Sequence, residues 1–279
     1  MVVVNAGGRT MEWLRKRLQD PEILVRLNAF FLSYFGWIAF GVLYGLIGRW
    51  SVDVTGAFLK LPLTSESFVL GLTGFVRSVK PLYLLFVAVY YIGFTGSIAL
   101  AVFYLLIYLA DTETSDRLLA GYLISYAAAG LTYLVFHIYA PHVVYNLQGF
   151  SSENTLFTRQ EFVFPSLHNA IVTVNLMALW RHRHRLGARI LIGISVLIPF
   201  ATVLLGHHWI YDVLAGICLG VLAYRLGEGL GMAIPSTLYR WETSYLRKVT
   251  LFNFFLALVV LLMGLDPARL KEVIDGLMA

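Results

Sequence analysis

The chain has 279 residues, 59% of them hydrophobic and only 13% charged, with a mean hydropathy of +0.75. A soluble domain of that length exposes far more charge, so the composition excludes an ordinary soluble enzyme and describes a polytopic membrane protein. The net charge of +5 is modest, and Lys and Arg gather at the ends of apolar runs, which suits anionic headgroups and points to no nucleic-acid partner.

In chain order, residues 11–22 mix Trp13, Leu14 and Leu18 with Arg15, Lys16 and Arg17, the pattern of a short helix on a membrane surface or of a solvated lead-in. The first residues lack the basic, apolar and small-residue order of a cleavable signal. Ile23–Ile47 is long enough to cross about 30 Å of hydrocarbon and is the first span. A more polar connection, 48–80, holds an apolar section at 68–76 that suits an interfacial helix. Pro81–Ala110 then reads as one span, long enough to tilt or to break near Gly93 and Gly96. Beyond the hydrophilic link 111–116, a third span runs over 118–139. The connection 142–163 reads as a surface loop able to cover a site. A fourth span, 164–180, stops at the RHRHR of 181–185; a fifth, 188–206, carries Pro199 as a point of kinking; a sixth covers 207–226. The run 251–265 is barely long enough to cross and also suits the interface. Cys218 lies inside an apolar run and, as the lone cysteine, forms no intramolecular disulfide.

The expected fold class is all-α: a polytopic membrane protein with a six-helix transmembrane core, an N-terminal interfacial helix and an extra C-terminal span if 251–265 crosses. Its parts are 1–22, the catalytic membrane domain 23–230 and the extension 231–279. Arg9, Arg15, Lys16 and Arg17 precede the first span, Arg26 lies in its first turn, and Arg181, Arg183 and Arg185 follow the fourth. Alternating spans put both groups on one side, expected to be cytoplasmic. The loop 142–163, His168, His207 and His208 then share the opposite face.

Two polar clusters interrupt the apolar runs: FPSLH at 164–168 and LLGHHWIYDVLAG at 204–216. An unpartnered polar side chain costs free energy in such surroundings, so the two clusters read as halves of one active site. Residues four apart share a helix face, so the Asp212 carboxylate can hydrogen-bond one nitrogen of His208 and leave the other free as nucleophile or base. Pro165 and Ser166 stand at a helix start, where backbone N–H groups attract phosphate. His168 lies one turn inside as a proton donor. Nucleophile, orienting acid, leaving-group acid and anion cradle are the parts that phosphoryl transfer through histidine requires.

Residues 165–168 resemble the Pro-Ser-Gly-His motif of the type 2 phosphatidic acid phosphatase superfamily, and His208 with Asp212 resemble the end of its third motif. The FPSLH form and the doubled histidine look most like inositol phosphorylceramide synthases and their prokaryotic relatives. The resemblance covers roughly residues 80–230. It implies a six-helix core, no metal and no cofactor, His208 as the phosphorylated nucleophile, Asp212 orienting it, and His168 protonating the leaving group. The departures carry information too. Ala201 and Thr202 stand where the superfamily pattern has Ser-Arg, and Tyr133 and Ala140 where its first motif has Lys and Arg, so three cationic phosphate ligands are absent. A monoester carries nearly two charges near neutral pH and a diester one, so a cation-poor site suits a lipid phosphodiester. Arg159, His142 and His137 are candidates to restore charge from the outer loop, with His207 beside the nucleophile and Ser166 and Pro165 as phosphate contacts.

The leading expectation is transfer of a phosphorylated headgroup between membrane lipids. The alternatives are a lipid phosphate or polyprenyl diphosphate phosphatase, a non-catalytic lipid-binding or transport protein with a degenerate site, and, more weakly, a proton or ion pathway. The expected partners are a membrane lipid substrate and the bilayer; no protein partner is evident.

Overall fold

Within hydrocarbon the backbone must satisfy its own hydrogen bonds, and the apolar runs do so as helices. A computed structural model describes residues 12–147, 159–230 and 240–264. The middle of the loop expected to cover the site, 148–158, lies outside the described residues, as do 1–11, 231–239 and 265–279. After a short helix at 12–17, the long elements are α1 (Pro21–Ile47), α2 (Glu66–Ser78), α3 (Lys80–Tyr108), α4 (Thr112–Val135), α5 (Leu167–Trp180), α6 (Leu186–Leu204), α7 (Ile210–Leu230) and α8 (Thr243–Gly264). Among the described residues, six of these are long and apolar enough to cross a membrane: α1, α3, α4, α6, α7 and α8. The protein is an all-α polytopic membrane protein.

Several boundaries differ from the sequence reading, each for a local reason. The acidic link 111–116 is the first turn of α4. Asp111 caps it, accepting hydrogen bonds from the Thr114 backbone N–H and hydroxyl at 3.0 and 2.7 Å. The same helix stops at Val135. Phe136–His137 instead pairs as a two-residue parallel strand with Val52–Asp53. The apolar section near 68–76 is the core of α2, which buries Val69, Thr73 and Val76. The Pro81–Ala110 run stays continuous and absorbs its excess length in two π-helical stretches, Val89–Gly93 and Phe103–Tyr108.

The C-terminal run is longer than its apolar stretch suggested. Polar residues upstream join it because they have partners: Asn28 of α1 donates to the Thr250 hydroxyl at 2.8 Å, and Asn253 donates to Asn28 at 2.9 Å. Leu246 packs on Leu24 and Val25. Contacts that rise together along both chains make α8 run parallel to α1.

The fourth span is the converse case. At 14 residues α5 extends only about 21 Å. It is enclosed by α3, α4, α6 and α7, so its ends need not reach lipid. Glycines permit the closest of these contacts. A Cβ on Gly216 would stand 2.3 Å from the Ser166 carbonyl oxygen, and one on Gly220 would stand 2.5 Å from that of Ala170. Small residues at this spacing let α7 lie directly against α5. That contact sets the register between the two polar clusters.

Basic side chains collect at the opposite end of the bundle. There Arg26, only 5% exposed, is held bidentately by Asp116 at 2.8 Å. Arg117 bridges Glu113 and Glu228.

Candidate active site

The site forms where the start of α5 meets the turn between α6 and α7. Phe164 and Pro165 precede the helix. Ser166 is its N-cap, and its hydroxyl accepts hydrogen bonds from the Asn169 backbone and side-chain N–H groups at 3.4 and 2.8 Å. Pro165 is thus outside the first helical turn expected for it; its carbonyl accepts from the Tyr133 hydroxyl at 2.7 Å. The Ser166 N–H donates to the Asp212 carbonyl at 3.0 Å, a direct stitch between the two clusters.

On the other side, α6 ends at Leu204 and Gly206 turns the chain with φ of 79°. Any side chain there would be strained, and a Cβ would also meet Leu147 at 2.6 Å. The backbone N–H groups of His207 and His208 both donate to the Thr202 carbonyl, at 2.9 and 3.0 Å. The helix α7 starts only at Ile210, so His208 belongs to the turn and not to the helix face it was expected to share with Asp212. The two still meet, because Asp212 folds back as a cap: its Oδ2 accepts from the Trp209 N–H at 2.8 Å and lies 3.6 Å from His208 Nδ1.

The central contact joins the clusters. His168 Nδ1 is 3.2 Å from His208 Nε2. His208 is 3% exposed and Asp212 is fully buried, whereas His168 keeps part of its surface open. Burial lowers the pKa of His208 below the usual imidazole range, against a smaller opposing effect of a backbone hydrogen bond at Val163, so the ring is neutral near pH 7. A neutral ring with one nitrogen turned toward Asp212 offers its other lone pair, at Nε2, to an electrophile.

Aromatic side chains from α3 close the pair from the side. Phe94 lies 4.5 Å and Tyr90 5.5 Å from the His168 ring. Tyr90 also stacks face to face on His207 at 4.1 Å, and His142 meets His207 edge-on at 5.3 Å. Tyr90 lies in the π-helical stretch of α3. Nothing in its sequence separated it from the other lipid-facing aromatics, but its position in an overlong run next to Gly93 was a usable hint. Asn169 was missed too: its side chain also donates to the Thr202 hydroxyl at 3.2 Å, linking the α5 cap to the residue that holds both histidines.

The remaining candidates fall on either side of this cluster. His142 is buried beside it, its Nδ1 3.1 Å from the Gly206 carbonyl. His137 is turned away, 3.0 Å from the Ser51 hydroxyl. Arg159 reaches α1, where its Nε donates to the Gly41 carbonyl at 2.9 Å. Among the described residues, none of the recorded contacts of His168, His208 and Asp212 is with Lys or Arg. Nor does any cluster of three or more His, Cys, Asp or Glu there have the arrangement to hold a metal ion.

A buried histidine pair backed by a carboxylate thus stands at one end of the membrane bundle. The family model described as PAP2 superfamily matches residues 117–227, the stretch from α4 through α7 that contains every member of the pair and its support. An uncharacterized protein of Methanocaldococcus jannaschii is 28% identical over 222 residues, covering 78% of this chain and 90% of that protein. No solved structure matches.

Proposed function

We propose that this protein is a membrane lipid phosphotransferase that moves a phosphorylated headgroup from a lipid phosphodiester to a lipid hydroxyl through a phosphohistidine on His208. The observation that carries the reading is the 3.2 Å approach of His168 Nδ1 to His208 Nε2, in a cluster whose recorded contacts include no Lys or Arg among the described residues. The PAP2 match supports a phosphatase or phosphotransferase acting on lipid; the choice of a diester rests on the low positive charge.

In the first half-reaction, His208 Nε2 attacks phosphorus and the bond from phosphorus to the departing lipid oxygen breaks. His168 gives its Nδ1 proton to that oxygen, while Asp212 balances the charge that grows on the His208 ring. In the second half-reaction, an acceptor hydroxyl attacks the phosphohistidine, its proton passes to His168, and the N–P bond breaks. With no substrate bound, the two rings are too close for a phosphoryl group between them, so binding must part them. Tyr90 and Phe94 give His168 an apolar wall against which to turn. The site is proposed to face the non-cytoplasmic side, because the Arg-rich ends of α5 and α6 lie at the other end of the bundle.

The test uses purified wild type and His208→Ala in detergent, with a lipid phosphodiester and, separately, a lipid phosphomonoester. Headgroup transfer from the diester, lost in the variant, is expected. Inorganic phosphate released from the monoester alone would replace this reading with a lipid phosphatase.

A further inference from the structure

A second feature lies on the far side of the wall formed by Tyr133 and Phe162, whose rings stack at 4.6 Å. Between α1 and α4 a groove of about 400 Å³ is lined by Ala29, Gly36, Trp37 and Phe40 from one helix and Leu123 and Tyr126 from the other. The lining from Ala29 to Phe40 extends about 16 Å along the helix, close to one leaflet's share of a hydrocarbon layer about 30 Å thick.

The end of the groove nearer the active site is not apolar. Gly41 and Gly45 continue the i, i+4 ridge of Trp37, and Arg159 lies along them. Its Nε is bonded to the Gly41 carbonyl, and one terminal nitrogen is 2.8 Å from where a Cβ on Gly45 would stand. The guanidinium carbon is 5.5 Å from the centre of the Tyr44 ring, and that ring is 6.1 Å from Phe40 at the top of the groove. The mouth therefore presents a guanidinium where the apolar lining ends.

We propose that this groove is a binding site for a membrane phospholipid, separate from the catalytic histidines, with an acyl chain along Ala29–Phe40 and its phosphate on Arg159. A packed protein helix would match the apolar lining but has no need of a guanidinium at one end. A phospholipid matches the lining in length and the mouth in charge. The site does not depend on the chemistry at His208.

A photoreactive phosphatidylethanolamine with a diazirine in one acyl chain tests it on the full-length protein. Wild type is expected to be labelled on the groove-lining segments of α1 and α4. Gly36→Leu should remove that labelling, since nothing lies within 4 Å of a Cβ at this position and the added side chain has room to fill the groove. Arg159→Gln leaves the groove unchanged and should weaken competition by unlabelled phosphatidylethanolamine roughly fivefold. His208→Ala should label like wild type, which separates failure here from failure of the catalytic reading. Absence of labelling in wild type, labelling that survives Gly36→Leu, equal competition by a fatty alcohol without phosphate, or cross-links between two copies through α1 would each overturn the proposal.

Discussion

Replacing Gly216 with Ala tests whether the α5–α7 contact sets the catalytic geometry. The added Cβ would stand 2.3 Å from the Ser166 carbonyl oxygen and 3.1 Å from the Asn169 Cβ, about 1 Å inside ordinary van der Waals contact with the first. The obstruction is backbone and cannot rotate away, so α7 must shift outward by about that amount. The shift would strain the hydrogen bond from Ser166 N–H to the Asp212 carbonyl and widen the 3.2 Å approach of His168 to His208. A misplacement of about 1 Å costs roughly a hundredfold in rate, or about 2.7 kcal/mol of transition-state stabilisation. Overpacking of this kind also costs about 1–3 kcal/mol of stability. The assay is turnover of a lipid phosphodiester beside a thermal unfolding curve in the same detergent. Gly193→Ala is the control, because nothing lies within 4 Å of its added Cβ. Wild-type turnover in Gly216→Ala would refute the idea that this contact registers the two halves of the site.

Asp212→Asn should keep the cap on Trp209 yet lower turnover at least about tenfold, because it removes the charge facing the developing imidazolium; normal rates would exclude that role. Tyr90→Leu removes the ring stacked on His207 and should raise KM about two- to tenfold with the fold intact, as circular dichroism can verify. Burial lowers the His208 pKa, so the ring stays neutral well into mildly acidic solution. The acid limb of kcat/KM on a diester should therefore fall below the ordinary imidazole pKa of about 6.5, and a limb centred above it would contradict a neutral nucleophile. Asn28→Leu breaks both polar links between α1 and α8, and should lower stability by roughly 1–3 kcal/mol without changing the order of substrates.

Hydropathy and length made the membrane class and most of the helices legible, since a run such as Ile23–Ile47 has one stable conformation in hydrocarbon. Their ends were less legible. Asp111 looked like part of a link because its value as a cap depends on Thr114, and Thr243–Thr250 looked too polar for a span because Asn28 lies 222 residues from its partner Thr250. At the site, residue type and spacing were enough to bring His168, His208 and Asp212 together. The detail of that meeting was not legible: the i, i+4 rule assumed a helix, whereas Gly206 and Thr202 hold His208 in a turn. Arg159 is the clearest divergence. From sequence it was a cation in the loop before the site, and only the aromatic packing of Phe162 reveals that the chain there is turned toward α1.

The π-helical stretch at Val89–Gly93 has a consequence for how α3 could be altered. Such a stretch holds one residue more than an α-helical turn, so removing one residue would leave an unbroken helix of ordinary geometry. The faces on either side would be kept, because the extra residue is taken up inside the wide turn and adds no rotation beyond it. Phe86 and Val87 would stay in the core they share with Val172 and Ile198, and Phe94 and Ala101 would keep theirs. A single deletion here would therefore be silent in helix content and in the flanking cores, and its effect would fall on Tyr90, the ring of this stretch that stacks on His207.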